Sequence, residues 1–526
     1  MNVLVMNLTR LGDLLQTQPA IVGLAAQGHD ITLSCLENFA PAAELMQGIS
    51  AVRPFPGARI LARLDTDWRQ ALATHRQALQ AARGEAAPQL VINLTPSEPA
   101  RLLAMGLGAA EVRGFALDEH GFNDDSSAWA AFLQLASRSR GASPFNIVDI
   151  FRRIAGLTGA PDAAGTGFGL RGPTQAEKTA ALERIRTLCP QASSTKGLVA
   201  LQLGASEDRR RWPVAAFALV ARTLSAAGYT PVLVGTASEK PLAERLKTQA
   251  DIPLADLMGS TDLPELAAAL ANCSLLITND TGTMHLAAGL GVPCLAIFLA
   301  TAQPWDTGPY LPGCLCLEPD LSAHSADCHP CGFGQDCPHG EACRTAIDPS
   351  GVAGLALAML TGADPTPVAC PGARVWRSAI GHDGLLDLTS LSAHEESDRT
   401  RFIRLQRRLY RRYLDGEALN TDQDTGVGLS GPMAQALRAP LTEASDLLFL
   451  LIRQGEILAR DPTTTAKTKF LSTWQRVREA LLSQEHLALL AALWVFESER
   501  PGLELHSIVN LAVRFRELLF ALERQL

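Results

Sequence analysis

The chain has 526 residues, 47% of them hydrophobic, and carries 46 Lys and Arg against 54 Asp and Glu, a net charge of −8. That length is too great for one core and implies two to four domains, while the acidic balance argues against bulk nucleic-acid binding as the main activity. No apolar run approaches the ~20 residues of a membrane helix, and the opening MNVLVMNLTRLGDLL has no basic stretch before its apolar segment. The expectation is a cytoplasmic protein, with peripheral contact at the cytoplasmic face of the inner membrane left open.

Residues 2–8 (NVLVMNL) read as a short buried strand, TRLGD as a turn and LLQTQPAIVGLAAQG as a helix. Strands follow at 30–36 (DITLSCL) and 89–95 (QLVINLT), the latter leading into PSEPARLLAMGLG, which starts like a helix. A softer Gly-, Ala- and Pro-rich region covers 160–196, and then the alternation restarts. Strands at 197–204, 230–235, 275–280 and 292–298 are separated by helical patterns. Such alternation predicts parallel βαβ units. Two α/β domains are expected, at 1–185 and 196–360, with a linker at 361–394. From 395 to 526 every periodic segment is helical, so the tail is read as an all-helical extension of unknown role.

Chemistry-bearing residues recur where strands end. In ITNDTGTMHLAAG, Asp280, Thr281, Gly282 and His285 stand between a strand and a helix. Free N–H groups at such a helix start favour an anion, and a glycine lets a phosphate approach the backbone. Asp280 suits a helix cap or a sugar hydroxyl. Asp13, in RLGDLL just after the first strand, could deprotonate a hydroxyl or simply cap its helix. Arg210, in SEDRRRWP, is placed to neutralise a diphosphate or to lie in a solvated charge run. Glu239, in GTASEK, could accept from ribose hydroxyls or sit at a helix start.

Taken together, LTRLGDLLQTQPAI, LGASEDRRRWPVAAFALV, GTASEK, NDTGTMHLAAGLGVPCLAIF and TAQPWDTGP resemble the signature blocks of glycosyltransferase family 9, the ADP-heptose:lipopolysaccharide heptosyltransferases. The resemblance covers roughly residues 1–350. It implies a GT-B fold, two Rossmann-like domains facing across a cleft, and an inverting, metal-independent transfer from a nucleotide sugar to a glycolipid or glycan acceptor. By that pattern Asp13 is the base, and Arg210, Glu239, Asp280, Thr281, Gly282 and His285 bind the donor. No cofactor is implied beyond the nucleotide-sugar substrate. The chain departs from the pattern at FLAT, where Leu299 replaces a usual glycine, and in its helical extension. These departures keep two other readings in play. One is a non-catalytic nucleotide-sugar or protein-binding scaffold. The other is a transferase acting on a protein or another glycan.

Eleven cysteines are present. Cys35, Cys189, Cys273 and Cys294 lie singly in apolar contexts and read as buried, reduced thiols. Cys328 and Cys331 have the spacing of a metal half-site that Cys337 with Cys343 or His339 could complete for zinc or an iron–sulfur cluster, although a disulfide-prone or free-thiol loop is the expectation. DTD (65–67) and DQD (422–424) are read as a helix cap, by Asp65 or Thr66, and a polar loop rather than metal motifs. In the arginine-rich segment 399–413, Phe402, Leu405 and Leu409 are spaced as a buried stripe, with arginines outward on a solvated bundle face or against anionic lipid.

Overall fold

Every apolar run read as a strand is one. In the computed structural model, which describes residues 1–138, 141, 143–159, 169–322, 328–366, 368–419, 428–500 and 502–526, the chain divides into two units. The first comprises Met1–Ala116 and Phe145–Ala393, the second Leu117–Pro144 and His394–Leu526.

The first unit holds two sheets. The N-terminal one contains β1 (Asn2–Asn7), β2 (Asp30–Leu36), β3 (Ala51–Phe55), β4 (Leu90–Asn93) and β5 (Glu111–Leu117) in the order β3-β2-β1-β4-β5, with all these pairs parallel. A short strand β6 (Asn123–Asp125) belongs to the second unit. The other sheet of the first unit contains β7 (Leu198–Gln202), β8 (Thr230–Val234), β9 (Ala255–Asp256), β10 (Cys273–Asn279), β11 (Cys294–Ile297), β12 (Leu315–Pro319), β13 (Ala373–Ile380) and β14 (Leu386–Ser390). Its order is β14-β13-β12-β11-β10-β7-β8-β9. The strands from β7 to β12 pair in parallel, and β13 and β14 add an antiparallel edge.

Both sheets are covered by helices on two faces, which is why their central strands are continuous apolar runs rather than alternating ones. Leu4, Met6 and Val91 pack with Ala100 and Leu103 in the first sheet. Val199, Leu201, Leu275, Ile277 and Leu295 pack with Phe217, Ala221 and Leu355 in the second. Leu299 is fully buried in this second core, so its side chain is directed into the domain.

Several expectations are corrected. Residues 361–394 are no linker, since they carry β13 and β14. Those strands escape a periodicity reading because Arg374 and Arg377 interrupt them; Arg374 is buried, and Trp376 donates from Nε1 to Glu318 Oε2 at 2.8 Å. Residues 117–144 leave the N-terminal domain and join the helical unit. The soft region contains the helix Gln175–Leu188, started by a Thr174–Glu177 capping box. Asp67, rather than Asp65 or Thr66, caps the helix Trp68–Arg83, accepting from Gln70 N. The DQD segment lies outside the described residues.

The second unit is helical, built mainly from Ala128–Ala136, Asp398–Asp415, Gly431–Arg460, Thr464–Leu482, Ala488–Ser498 and Leu505–Gln525. Phe402, Leu405 and Leu409 are buried as the spacing requires. Their arginine neighbours are engaged: Arg404 with Glu395, Arg411 with Asp415 and Glu417, and Arg408 with Gln525. Among the described residues, no helix is long and apolar enough to cross a membrane.

Candidate functional site

In each sheet the strand order reverses at one place, between β1 and β4 and between β7 and β10. Loops leaving the carboxyl ends of strands at such a reversal splay apart and form the natural ligand crevice of an open α/β sheet. The sequence motifs fall at these two places.

At the first, Asn7 ends β1 and organises the loop that follows. Its Nδ2 donates to Asp13 O at 3.1 Å and to Thr17 Oγ1 at 2.9 Å, and its Oδ1 accepts from Thr9 N at 3.2 Å. The short helix Leu11–Leu15 is thereby held with Asp13 in its first turn. Burial pushes the Asp13 carboxyl above its ordinary range, opposed by His285, by a hydrogen bond from the Arg10 backbone and by the Thr9 hydroxyl.

At the second, Asn279 ends β10 and ties three segments together. Its Nδ2 donates to Leu203 O and Gly204 O, both at 3.0 Å, and its Oδ1 accepts from Trp212 N at 3.0 Å. That fixes the loop after β7 against the loop after β10. Arg210, almost wholly buried, forms an ion pair with Asp280 and donates from Nη1 to Ser206 Oγ at 2.9 Å. The cap reading of Asp280 is therefore corrected: its carboxylate is taken by a guanidinium 70 residues away, and Thr281 is the N-cap of the helix Gly282–Gly289. Thr281 makes no side-chain capping bond, so the first N–H groups of that helix lack a side-chain acceptor. His285 is buried, its Nδ1 has no hydrogen-bond partner, and burial pushes its imidazole below the usual range against the pull of Asp280 and Asp13.

The two helix starts meet. A Cβ placed on Gly12 would come within 2.8 Å of His285 Cδ2, and one placed on Gly282 would sit 3.6 Å from Gly12 N. Asp13, Gly282, His285, Asp280 and Arg210 thus form one group, with its base-type carboxyl from the N-terminal sheet and its anion-type helix start from the other. Glu239 stands apart from them, over the end of β7. It accepts from Thr236 N at 2.7 Å and from Gln202 Nε2 at 3.3 Å, and its carboxylate lies where any side chain at Gly204 or Gly235 would go.

Four polar residues carried no local signal in the sequence. Gln16 and Gln303 are buried with neither side-chain atom hydrogen-bonded, and Gln202 Oε1 and Thr301 Oγ1 are likewise buried without partners. Buried polar atoms ordinarily find partners, so these four residues are exceptions to the rule. Of the cysteines, Cys314 and Cys316 are buried at β12, while Cys328, Cys331, Cys337 and Cys343 are free thiols. Burial first, then the neighbouring Cys328, Cys343 and Cys337, pushes Cys331 up to about 11. Among the described residues no group of His, Cys, Asp and Glu is placed to hold a metal ion.

Residues 117–326 match the family model of glycosyltransferase family 9 (heptosyltransferase), a span that includes Arg210, Glu239 and the Asp280–His285 block and excludes Asp13. Lipooligosaccharide heptosyltransferase 2 of Haemophilus influenzae is 34% identical over 100 residues, covering 18% of this chain and 29% of the relative. Lipopolysaccharide heptosyltransferase 2 of Escherichia coli is 33% identical over 93 residues, covering 17% of this chain and 27% of the relative. The chain thus spans under a third of the length of these curated relatives. The crystal structure of a glycosyl transferase family 9 protein from Veillonella parvula superposes with a TM-score of 0.52 at 21% identity, covering 69% of this chain and 97% of that one. The resemblance read from the motifs holds over the matched span, and the fold is the GT-B pair of α/β domains with an added helical region.

Proposed function

We propose that the chain is an inverting glycosyltransferase that moves heptose from ADP-heptose onto a hydroxyl of a lipopolysaccharide core or related surface glycan, in the cytoplasm and without a metal. The observation that carries this reading is the placement of Asp13. Its carboxyl, raised by burial, lies beside His285 and the start of the helix Gly282–Gly289, whose N-cap Thr281 makes no side-chain capping bond. Inversion needs a base on one side of the sugar and a leaving-group site on the other, and the two sheets supply one each.

In this proposal Asp13 takes the proton from the acceptor hydroxyl as its oxygen attacks the anomeric carbon. A raised pKa makes the carboxylate a stronger base than a solvated one. The diphosphate departs toward the N–H groups of Gly282 and Thr283, where the helix dipole and fixed donors favour the developing charge. Asp280 keeps Arg210 in place beside that helix start, where its guanidinium charge favours the departing diphosphate. His285, whose imidazole burial pushes below its ordinary range, lies beside Asp13 and the helix start. Glu239 and Gln202 form the end of the crevice suited to ribose hydroxyls. The names of the curated relatives support heptose as the sugar.

The test is Asp13→Asn, assayed with labelled ADP-heptose and with ADP binding in parallel. Loss of transfer by roughly 10²–10⁴-fold with ADP affinity kept is the expected result. Unchanged turnover removes Asp13 from the chemistry. ADP binding with no transfer to any glycan acceptor by the unmodified chain favours the scaffold reading.

A further inference from the structure

The hairpin formed by the helices Gly57–Leu64 and Trp68–Arg83 is built inside out. Its inner face is small: Ala71 and Ala82 are the buried residues of the longer helix, and the shorter helix buries none. Leu79 packs against the core of the N-terminal sheet, but four other large apolar side chains face water. Leu61 is 68% exposed, Leu64 49%, Trp68 57% and Leu72 46%. Leu61 and Leu64 are three apart on the shorter helix and Trp68 and Leu72 four apart on the longer one, so each pair shares a face of its own helix. The fold holds the hairpin without them, through the Phe55–His75 edge contact at 6.0 Å and an Arg63–Thr74 hydrogen bond at 3.3 Å. A cluster of this kind on a soluble surface marks a contact site.

The charge around it states the kind of partner. Residues 57–83 carry five arginines against two aspartates, in a chain whose net charge is −8. Arg59 is paired with Glu37, while Arg69, Arg76 and Arg83 are exposed. Arg69 lies over the Trp68 ring at 4.9 Å, joining an amphipathic aromatic to a cation, a combination suited to a headgroup layer. The exposed Phe449 and Phe520 of the helical unit differ. Arg516 lies over both rings, Arg453 is paired with Glu456, and the helix Gly431–Arg460 has three arginines and three acids. Arg404 and Arg411 of Asp398–Asp415 are paired within their own unit.

We infer that the 57–83 hairpin seats the protein on an anionic phospholipid surface, with Leu61, Leu64, Trp68 and Leu72 entering the headgroup–acyl boundary and the exposed arginines meeting lipid phosphates. This deepens the proposed function, because a lipid-linked acceptor lies on such a surface. Vesicle binding is read without donor or turnover, so either idea can fail alone.

The test is flotation of the full-length chain with vesicles of phosphatidylethanolamine and phosphatidylglycerol, and with vesicles of phosphatidylcholine alone. Binding is expected only with phosphatidylglycerol, weakening as salt rises and accompanied by a blue shift of tryptophan emission. Trp68→Glu and the pair Leu61→Glu/Leu64→Glu should each weaken it at least about tenfold with unchanged thermal unfolding, since all three sites are exposed. Phe449→Glu/Phe520→Glu should leave it unchanged. Three outcomes overturn the inference. The chain does not float with phosphatidylglycerol at low salt; or the hairpin variants float as well as the parent; or they dissolve a concentration-dependent dimer while no variant binds vesicles, which makes the face a self-association surface.

Discussion

Gly282→Ala separates a packing glycine from a phosphate-approach glycine. The added methyl would meet Leu11 Cδ2 at 3.4 Å and Gly12 N at 3.6 Å, both ordinary van der Waals contacts. Gly282 opens its helix and has no positive φ, so alanine is conformationally acceptable there. Alanine's helix propensity exceeds glycine's by at most about 1 kcal/mol. Folding therefore predicts a neutral or slightly favourable change, with apparent Tm moving up by no more than about 4 °C. Ligand binding predicts the opposite sign. If the diphosphate rests on the N–H groups of Gly282 and Thr283, the methyl occupies the place of a phosphate oxygen. A loss of roughly tenfold to hundredfold in ADP affinity, about 1.4–2.8 kcal/mol, is expected by calorimetry, with Tm measured on the same samples. Unchanged ADP affinity at unchanged Tm would refute the reasoning, because nothing else accounts for a glycine at that position. A drop in Tm of the same size as the drop in affinity would also count against it, since the loss would then be structural.

The remaining predictions concern charge and packing. The Asp13 carboxyl is raised in the folded chain, so protonation favours the folded state: stability from this group falls as pH rises from the ordinary carboxylate range through the raised value. Asp13→Asn should therefore raise the apparent Tm at neutral pH and have no such effect below the ordinary carboxylate range, while the acid limb of kcat/KM in the parent should lie above that range. A parent limb at the ordinary carboxylate value would show that burial does not tune this group. The Arg210–Asp280 pair, with side chains 8% and 10% exposed, should obey buried-pair arithmetic: Arg210→Met or Asp280→Asn alone costs about 3 kcal/mol, and the double variant costs less than the two singles together. Denaturant titration of the four proteins measures this, and simple additivity would mean that the pair is not coupled. In the helical unit, a Cβ on Gly455 would fall 2.4 Å from Val509 Cγ2. Gly455→Ala should thus destabilise that unit by about 1–3 kcal/mol despite its better helix propensity, as read by circular dichroism; a stabilised variant would show that the helices can part freely.

How much was legible follows from how local each signal is. A strand buried on both faces announces itself as an apolar run, so β1, β2, β4, β7, β8, β10 and β11 could be read directly. β3 carries Arg53 and Pro54 and is only partly buried, as a sheet edge allows. β12 looked like part of a cysteine cluster, and β13 is interrupted by arginines. Their burial depends on partners far along the chain: Trp376 donates to Glu318, 58 residues earlier, and Ser378 Oγ accepts from Cys314 N at 2.9 Å. No window of sequence shows such pairs. The site divides in the same way. Asp13, Gly282 and His285 could be singled out because each sits at a strand–helix junction, where backbone donors are free whatever the partner. That Asp280 belongs to Arg210, and that Gly12 must be small because His285 lies against it, are facts about two loops meeting. The unpartnered side chains of Gln16 and Gln303 are the extreme case, since a glutamine with no partner looks like any other until the fold surrounds it. Burying polar atoms without hydrogen bonds is costly, and that cost is set by what the fold packs around them, which no local pattern records.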